Sequence, residues 1–253
     1  MTIDGCRIAL RRGGKGEAML YLHGANGAGT WAPFMAQLAD KFDLIVPEHP
    51  GFGGSDMPDW LDTVGDLAYF YLDLIKALGL RRVHLVGASL GGWIAAELAV
   101  RSGHDLASLT AIAPAGLQLP GVPMGDPFLW SPEEAIRNLI FDQAQAERML
   151  AVAPSAADED AQMKNRFATA RLAWQPRMFN PHLAKWLHRI AVPAHIVWGR
   201  EDRLIPVAYA AAWGERVPGT RVTIVPECGH LPHVEKPAAL VAAVAGFCAG
   251  ASR

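Results

Sequence analysis

The pentapeptide around Ser89 has the residue types and spacing of an activated serine. It reads Gly87-Ala88-Ser89-Leu90-Gly91 and follows the apolar run Val83–Val86. Between a strand and a helix, the G-x-S-x-G pattern favours a sharp turn in which the glycines avoid Cβ clashes and the serine hydroxyl is exposed. The pattern predicts that Ser89 is a nucleophile. It also predicts that the backbone N–H of Leu90 helps to hold the negative oxygen of a tetrahedral intermediate.

A serine hydroxyl needs a base to accept its proton and an acid to orient that base. Two later β-branched runs end in turns that carry such groups, and they predict Asp202 as the acid and His230 as the base. Their competitors are close neighbours in the sequence, Glu201 and His233. We favour Asp202 because Pro206 is well placed to begin a helix soon after it, and His230 because His233 lies beyond Pro232, near the start of a helix.

A second oxyanion donor is predicted before the serine. The apolar run Leu20–Leu22 ends in His23-Gly24-Ala25-Asn26-Gly27, a turn punctuated by glycines. The backbone N–H of Ala25 or of Asn26 is the candidate donor. We interpret His23 as a structural brace for this turn.

Apolar runs alternate with helical patterns over most of the chain, which predicts a mostly parallel sheet covered on both faces by helices. The predicted strands are Arg7–Arg11, Ala18–Leu22, Phe42–Val46, Val83–Val86, Leu109–Ala113, Ala194–Trp198 and Arg221–Val225. The predicted helices of this core are Trp31–Ala39, Thr63–Leu78, Leu90–Arg101, Val207–Val217 and Glu235–Phe247.

Residues 115–190 have no strand alternation and predict a helical cap, inserted between two parts of one core that comprise residues 1–114 and 191–253. Helices are expected near Pro132–Phe141, Gln143–Ala151, Asp158–Trp174 and Pro181–Leu187. A helical insertion rich in apolar groups is expected over the carboxyl ends of the strands, where open α/β sheets bind ligands. We predict that Asn26, Phe128, Trp130 and Trp174 contact the substrate.

Together these motifs resemble those of the α/β-hydrolase-fold serine hydrolases, of the lid-bearing esterase and C–C hydrolase type. The resemblance covers nearly the whole chain and includes Pro50–Ser55 and Gly229–Pro237. The chain order serine, aspartate, histidine is typical of this family. One departure is Glu48, where many relatives have aspartate. A serine nucleophile argues against the epoxide hydrolase and haloalkane dehalogenase branches.

The resemblance implies hydrolysis of a carboxylic ester or similar carbonyl substrate through an acyl-enzyme on Ser89. Three alternatives stay open. The first is hydrolysis of a C–C bond in a meta-cleavage product, the second is cofactor-free perhydrolase or haloperoxidase chemistry, and the third is a ligand sensor with slow turnover. The substrate is expected to be small and apolar, and neither a cofactor nor a metal is expected.

Composition narrows the classes of partner and location. A net charge of −2 without a basic stripe argues against nucleic acid as a partner. Three cysteines without C-x-x-C spacing fit a reducing compartment and no metal site. No apolar run predicts a membrane span or a signal-peptide core, so the cytoplasm is the expected location.

Overall fold

The computed structural model describes residues 1–251, and seven strands of this part form one sheet. The strands are β1 (Thr2–Ile3), β2 (Cys6–Arg7), β3 (Leu10–Gly13), β4 (Ala18–Leu22), β5 (Asp43–Pro47), β6 (Val83–Ala88), β7 (Leu106–Ile112), β8 (Ala194–Gly199) and β9 (Arg221–Val225). β1 and β2 pair with each other, and the sheet has the order β3-β5-β4-β6-β7-β8-β9. Only the edge strand β3 is antiparallel to its neighbour in this sheet.

Helices flank the sheet on both sides. They are α1 (Pro33–Ala39), α2 (Val64–Ala77), α3 (Leu90–Arg101), α4 (Pro132–Leu139), α5 (Gln143–Leu150), α6 (Ala156–Ala173), α7 (Ala208–Arg216), α8 (Pro232–Glu235) and α9 (Pro237–Ala251). Alternate residues of a strand face opposite sides of a sheet, so a strand with two covered faces is apolar throughout. β6 shows this, because all six of its residues are buried.

The two faces of the sheet belong to different clusters of the core. In β4, Leu20 and Leu22 face the cluster that includes α2 and α3. Met19 and Tyr21 of the same strand face the cluster that includes α1 and α9. The predicted fold class, a mostly parallel sheet between helices, is therefore confirmed. The parallel strands bring the carboxyl ends of β4, β6, β8 and β9 to one edge, where the candidate site lies.

Residues 113–193, which we call the helical insertion, join β7 to the next strand of the sheet. The insertion carries α4, α5 and α6 and, within the described chain, no strand of the sheet. The helix predicted over Pro181–Leu187 is wrong, since this stretch forms turns and only a 3₁₀ segment follows at Leu187–Arg189. The side chain of Asn180 accepts a hydrogen bond from the His182 N–H and starts the turns.

Candidate active site

Ser89 lies in a strained turn between β6 and α3. Its backbone angles are φ 53° and ψ −115°, which side-chain-bearing residues rarely adopt. A Cβ at Gly87 would lie 2.2 Å from the Gly91 carbonyl oxygen, and one at Gly91 would lie 2.1 Å from the Leu22 carbonyl oxygen. The turn can close only with glycine at both positions, and this closure holds the hydroxyl at the end of the sheet.

The structure brings Ser89, His230 and Asp202 into one chain of hydrogen bonds. The Ser89 Oγ is 2.9 Å from His230 Nε2, and His230 Nδ1 is 2.7 Å from Asp202 Oδ2. The other oxygen of Asp202, Oδ1, accepts the backbone N–H groups of Leu204 and Ile205, each at 2.9 Å. A carboxylate can only accept, so it selects the tautomer with a proton on Nδ1 and leaves Nε2 free to accept the serine proton.

The rival residues lie close by but make other contacts. Glu201 accepts the backbone N–H of Cys228 at 2.9 Å and makes no hydrogen bond with His230. His233 packs edge-on against Phe34, with ring centroids 5.3 Å apart. Burial and the neighbouring His230 lower the pKa of His233 to about 4. His233 is therefore neutral near pH 7.

The loop that carries His230 is tied to the helical insertion. The His230 N–H donates to the Leu139 carbonyl at 2.8 Å. Glu235 accepts the N–H of Gly229 on one oxygen and the N–H of Phe141 on the other, each at 2.7 Å. These bonds hold the histidine loop against the end of α4.

The turn after β4 presents two unpaired backbone donors near the serine. The Gly27 N–H donates to the Gly24 carbonyl at 3.2 Å and closes a turn with Ala25 and Asn26 at its centre. A Cβ at Gly24 would lie 3.4 Å from the Ser89 Cβ, so the turn abuts the serine. Among residues 1–251, the N–H groups of Ala25, Asn26 and Leu90 have no acceptor.

A buried polar cluster of His23, His49 and Tyr71 supports this turn. His23 Nε2 accepts the His49 N–H at 2.9 Å, so its proton lies on Nδ1, which donates to the Gly24 carbonyl at 2.7 Å. His49 Nε2 donates to the His23 carbonyl at 2.9 Å, and the Tyr71 hydroxyl lies 2.5 Å from the remaining His49 nitrogen. Burial lowers the pKa of both histidines. Two neutral imidazoles therefore brace the turn.

Ser89 and His230 open into a cavity of about 380 Å³. Its walls are mainly apolar and include Tyr21, Phe34, Met35, Leu139, Met149, Met178, Leu204 and Val234. Of the described residues that line it, none is lysine, arginine, aspartate or glutamate. Such a cavity suits an uncharged, largely apolar ligand.

A model of the alpha/beta hydrolase family matches residues 19–244. The match covers nearly the whole chain, with both the serine turn and the histidine loop inside it. The chain belongs to the alpha/beta hydrolase family.

Relatives of this hydrolase include enzymes named for different reactions. An alignment of 271 positions, gaps included, gives 28% identity to an uncharacterised protein of Mycobacterium tuberculosis and covers 97% of this chain and 79% of that protein. This chain is 27% identical over 257 residues to the 2-hydroxy-6-oxo-6-phenylhexa-2,4-dienoate hydrolase of Comamonas testosteroni, covering 90% and 86% of the two chains. Among solved structures, a bacterial membrane phospholipase A superimposes with a TM-score of 0.84 and 26% identity, over 100% of this chain and 86% of the other.

The predicted substrate contacts of the hydrolase divide into two groups. Asn26 lines the cavity, whereas Phe128, Trp130 and Trp174 lie outside its lining. Phe128 and Trp174 pack against each other, and the Arg177 guanidinium lies 4.1 Å from the Trp174 ring centroid. Trp130 fills the space beside Gly125, where a Cβ would come within 2.6 Å of its ring.

Sequence reasoning missed most of the residues that hold the site. Glu235 has a signal in hindsight, because a carboxylate five residues after the histidine can reach the backbone N–H groups that the loop leaves unpaired. Glu48 is a second residue whose role in holding the site was missed, since its buried carboxylate accepts the N–H of Ala28 at 2.9 Å. Asn165, in α6, has no sequence signal, although its side chain is buried against the core.

Three further features of the described chain concern metal ligands, thiols and membrane-spanning helices. No cluster of three or more potential metal ligands occurs there. The three cysteines are buried and none of them is in a disulfide, and burial raises the pKa of Cys228 to about 12. In the same residues no helix combines the length and the apolar character needed to cross a bilayer.

Proposed function

We propose that this hydrolase cleaves a carboxylic ester or a similar carbonyl substrate through an acyl-enzyme on Ser89. The observation that carries the proposal is the unbroken hydrogen-bonded chain from Ser89 through His230 to Asp202, which opens into an apolar cavity. His230 takes the serine proton as the hydroxyl attacks the carbonyl carbon. Asp202 stabilises the imidazolium that forms, and His230 then gives the proton to the leaving alcohol.

The negative oxygen of the tetrahedral intermediate is assigned to the backbone N–H groups of Leu90 and Ala25. Both lack a partner among the described residues, and Leu90 begins α3. The amino end of a helix has a partial positive charge, which favours an anion there. Water, deprotonated by the same histidine, releases the acid in the second half of the reaction. No cofactor or metal enters the proposed mechanism.

We further propose that residues 115–190 act as a cap and that residues 1–114 and 191–253 form the catalytic core. The core lines the cavity with most of residues 21–35, with Ala88 and Ser89, with Leu204 and with residues of the segment 230–234, and the insertion lines it with Pro127, Leu139, Met149 and Met178. Since both parts contribute walls, the cap helps to set the size of the substrate. The cytoplasmic location stays a prediction.

The main competing function is C–C bond hydrolysis, because one relative is named as a dienoate hydrolase. A dienoate carries a carboxylate, whose burial is costly without a cationic partner. No arginine or lysine is among the described residues that line the cavity. The charge of the cavity therefore favours an uncharged ester over an anionic diene.

The test compares wild type with Ser89→Ala on a p-nitrophenyl ester series of increasing acyl length, together with fluorophosphonate labelling. We expect labelling at Ser89 and ester turnover that is lost in Ser89→Ala. Turnover retained in a clean Ser89→Ala preparation would overturn the assignment. Labelling without ester turnover would move the search to C–C substrates, peroxide chemistry or ligand sensing, and an absence of labelling would mean that Ser89 is not reactive.

A further inference from the structure

Helix α6 of the insertion presents a buried amide to the core. Asn165 is only 5% exposed, whereas Met163 and Phe167 of the same helix are 71% and 62% exposed. The Asn165 Nδ2 donates to the Asn26 carbonyl at 2.9 Å, and its Oδ1 accepts the Gly53 N–H at 2.8 Å. The docked face of the helix therefore combines this polar contact with the buried apolar residues Ala168, Leu172 and Ala173.

The Asn26 carbonyl belongs to the turn that presents the proposed oxyanion donors. The core holds this turn at two other points, through His23 at the Gly24 carbonyl and through Glu48 at the Ala28 N–H. Asn165 supplies the third hold, and it is the one that comes from the helical insertion.

The space around this third hold is tight. A Cβ at Gly27 would lie 2.6 Å from Asn165 Nδ2 and 2.8 Å from Glu48 Oε1. Gly27 also has a φ of +87°, which favours glycine. It lies between the amide of Asn165 on one side and the carboxylate of Glu48 on the other. A turn held so closely transmits a displacement of either group to its own backbone N–H groups.

We propose that Asn165 is a positioning residue that couples the docking of α6 to the geometry of the turn Gly24–Gly27, which we call the oxyanion turn. This inference rests on the proposed function. Asn165 lies outside the cavity lining, and it acts by fixing the Asn26–Gly27 peptide through the Asn26 carbonyl. The N–H of that peptide donates to the Gly24 carbonyl, which belongs to the same peptide group as the Ala25 N–H, so the hold on Asn26 reaches the proposed oxyanion donor. Asparagine fits this place because one planar group donates on one side and accepts on the other.

Two variants of Asn165 test the coupling. Asn165→Asp keeps the acceptor for the Gly53 N–H and replaces the donor to Asn26 by an oxygen, while Asn165→Leu removes both bonds at any pH. Lys164→Met is the matched control, because Lys164 donates to the Gly53 and Ser55 carbonyls from the same helix without touching the oxyanion turn. Thermal unfolding of each variant reports whether it is folded.

We expect both Asn165 variants to lower kcat by roughly 10- to 100-fold while KM changes little, because a displaced donor weakens the transition state more than substrate binding. Lys164→Met should keep kcat within about twofold even if its melting temperature falls. For Asn165→Asp, the ratio of its kcat to that of wild type should rise as the pH falls from about 8 to about 5.5, because a protonated carboxyl can again donate to the Asn26 carbonyl. The charged groups nearest this position are the carboxylate of Glu48 on the other side of Gly27, its partner Arg11, and the ammonium of Lys164, which binds the Gly53 and Ser55 carbonyls.

A kcat near that of wild type in a folded Asn165 variant would overturn the positioning role, and so would an equal loss of kcat in Lys164→Met. A wild-type protein without Ser89-dependent labelling or turnover would overturn the proposed function and this inference with it. The two failures are distinguishable, because the first occurs in an enzyme whose Ser89→Ala variant is inactive.

Discussion

Replacing Asp202 by asparagine tests the proposed acid more sharply than removing its side chain. The carboxylate has one oxygen fixed by the N–H groups of Leu204 and Ile205 and the other facing His230. In Asp202→Asn, the amide oxygen is expected to keep the two backbone bonds. The NH₂ group then faces His230 Nδ1 and forces the imidazole proton to Nε2, where it blocks proton transfer from the serine.

The hydrogen bonds set a lower bound on the loss of rate. An asparagine flipped to give the correct tautomer would turn its NH₂ towards two backbone N–H groups and lose both bonds, at a cost of about 3 kcal/mol. That cost leaves only about 1% of the molecules with the active tautomer, which corresponds to a loss of roughly 100-fold. The imidazolium also loses its counter-charge, so the expected fall in kcat is about 10⁴-fold, the magnitude known for the corresponding aspartate-to-asparagine change in a serine protease.

The assay is ester hydrolysis followed over the pH range in which the variant is folded, with Glu201→Gln as the control. Among residues 1–251, the Glu201 side chain accepts only the Cys228 N–H, a bond that a glutamine oxygen can keep, so this control should retain activity within a few-fold. A folded Asp202→Asn variant within tenfold of wild type would refute the role assigned to Asp202. A large loss in Glu201→Gln instead would point to the neighbouring carboxylate.

Three further predictions concern the scaffold. Gly91→Ala should give a protein that is unfolded or inactive, because the added Cβ would lie 2.1 Å from a carbonyl oxygen of β4. A variant that circular dichroism shows to be folded and that is active in the ester assay would contradict the geometry of the turn at Ser89. Glu235→Gln should lower the free energy of unfolding by about 2 kcal/mol and should also lower kcat. The reason is that an amide has one oxygen and cannot replace both carboxylate oxygens, which accept the N–H groups of Gly229 and Phe141. Urea titration and kinetics should find both losses together. Burial lowers the pKa of His195 to about 4 and also lowers that of His49, so the unfolded chain takes up protons below about pH 6.5 that the folded chain does not. The free energy of unfolding should therefore decrease as the pH is lowered from about 6.5 towards 4, by about 1.4 kcal/mol per pH unit for each such histidine. His195→Gln should reduce this slope of the free energy against pH. An unchanged slope in urea titrations would count against a neutral buried imidazole at His195.

The sequence predicts the interior strands of the sheet well because their requirements are local, whereas the predicted strand Arg7–Arg11 is divided between β2 and the edge strand β3. β4 and α3 have the predicted bounds, Ala18–Leu22 and Leu90–Arg101, since apolar periodicity and glycine placement both act over a few residues. The residues proposed for catalysis were chosen in the same way, from turns that end apolar runs. The structure brings Ser89, Asp202 and His230 together because parallel strands end at one edge.

The substrate cavity could not be predicted in the same way, because side-chain direction in the insertion depends on tertiary packing. Trp174 is aromatic and lies in the insertion, but the guanidinium of Arg177 covers its ring and about half of the side chain faces solvent. Met149 and Met178 line the cavity instead. Hydrophobicity identifies a segment that packs against something, but not which surface each side chain meets.

Asn165 shows a second limit of sequence reasoning and also what the insertion contributes. A polar residue inside a helix ordinarily indicates the solvent-facing side, yet its partners here lie 139 and 112 residues away in the chain. The insertion holds the site at two places, since Asn165 binds the oxyanion turn and the Leu139 carbonyl binds the histidine loop. A movement of the insertion as one rigid body would break both contacts. Met149 lines the cavity but makes neither of these two contacts. We therefore expect substitutions at Met149 to change the substrate preference while they disturb the positions of Ser89 and His230 less than substitutions at Asn165 do.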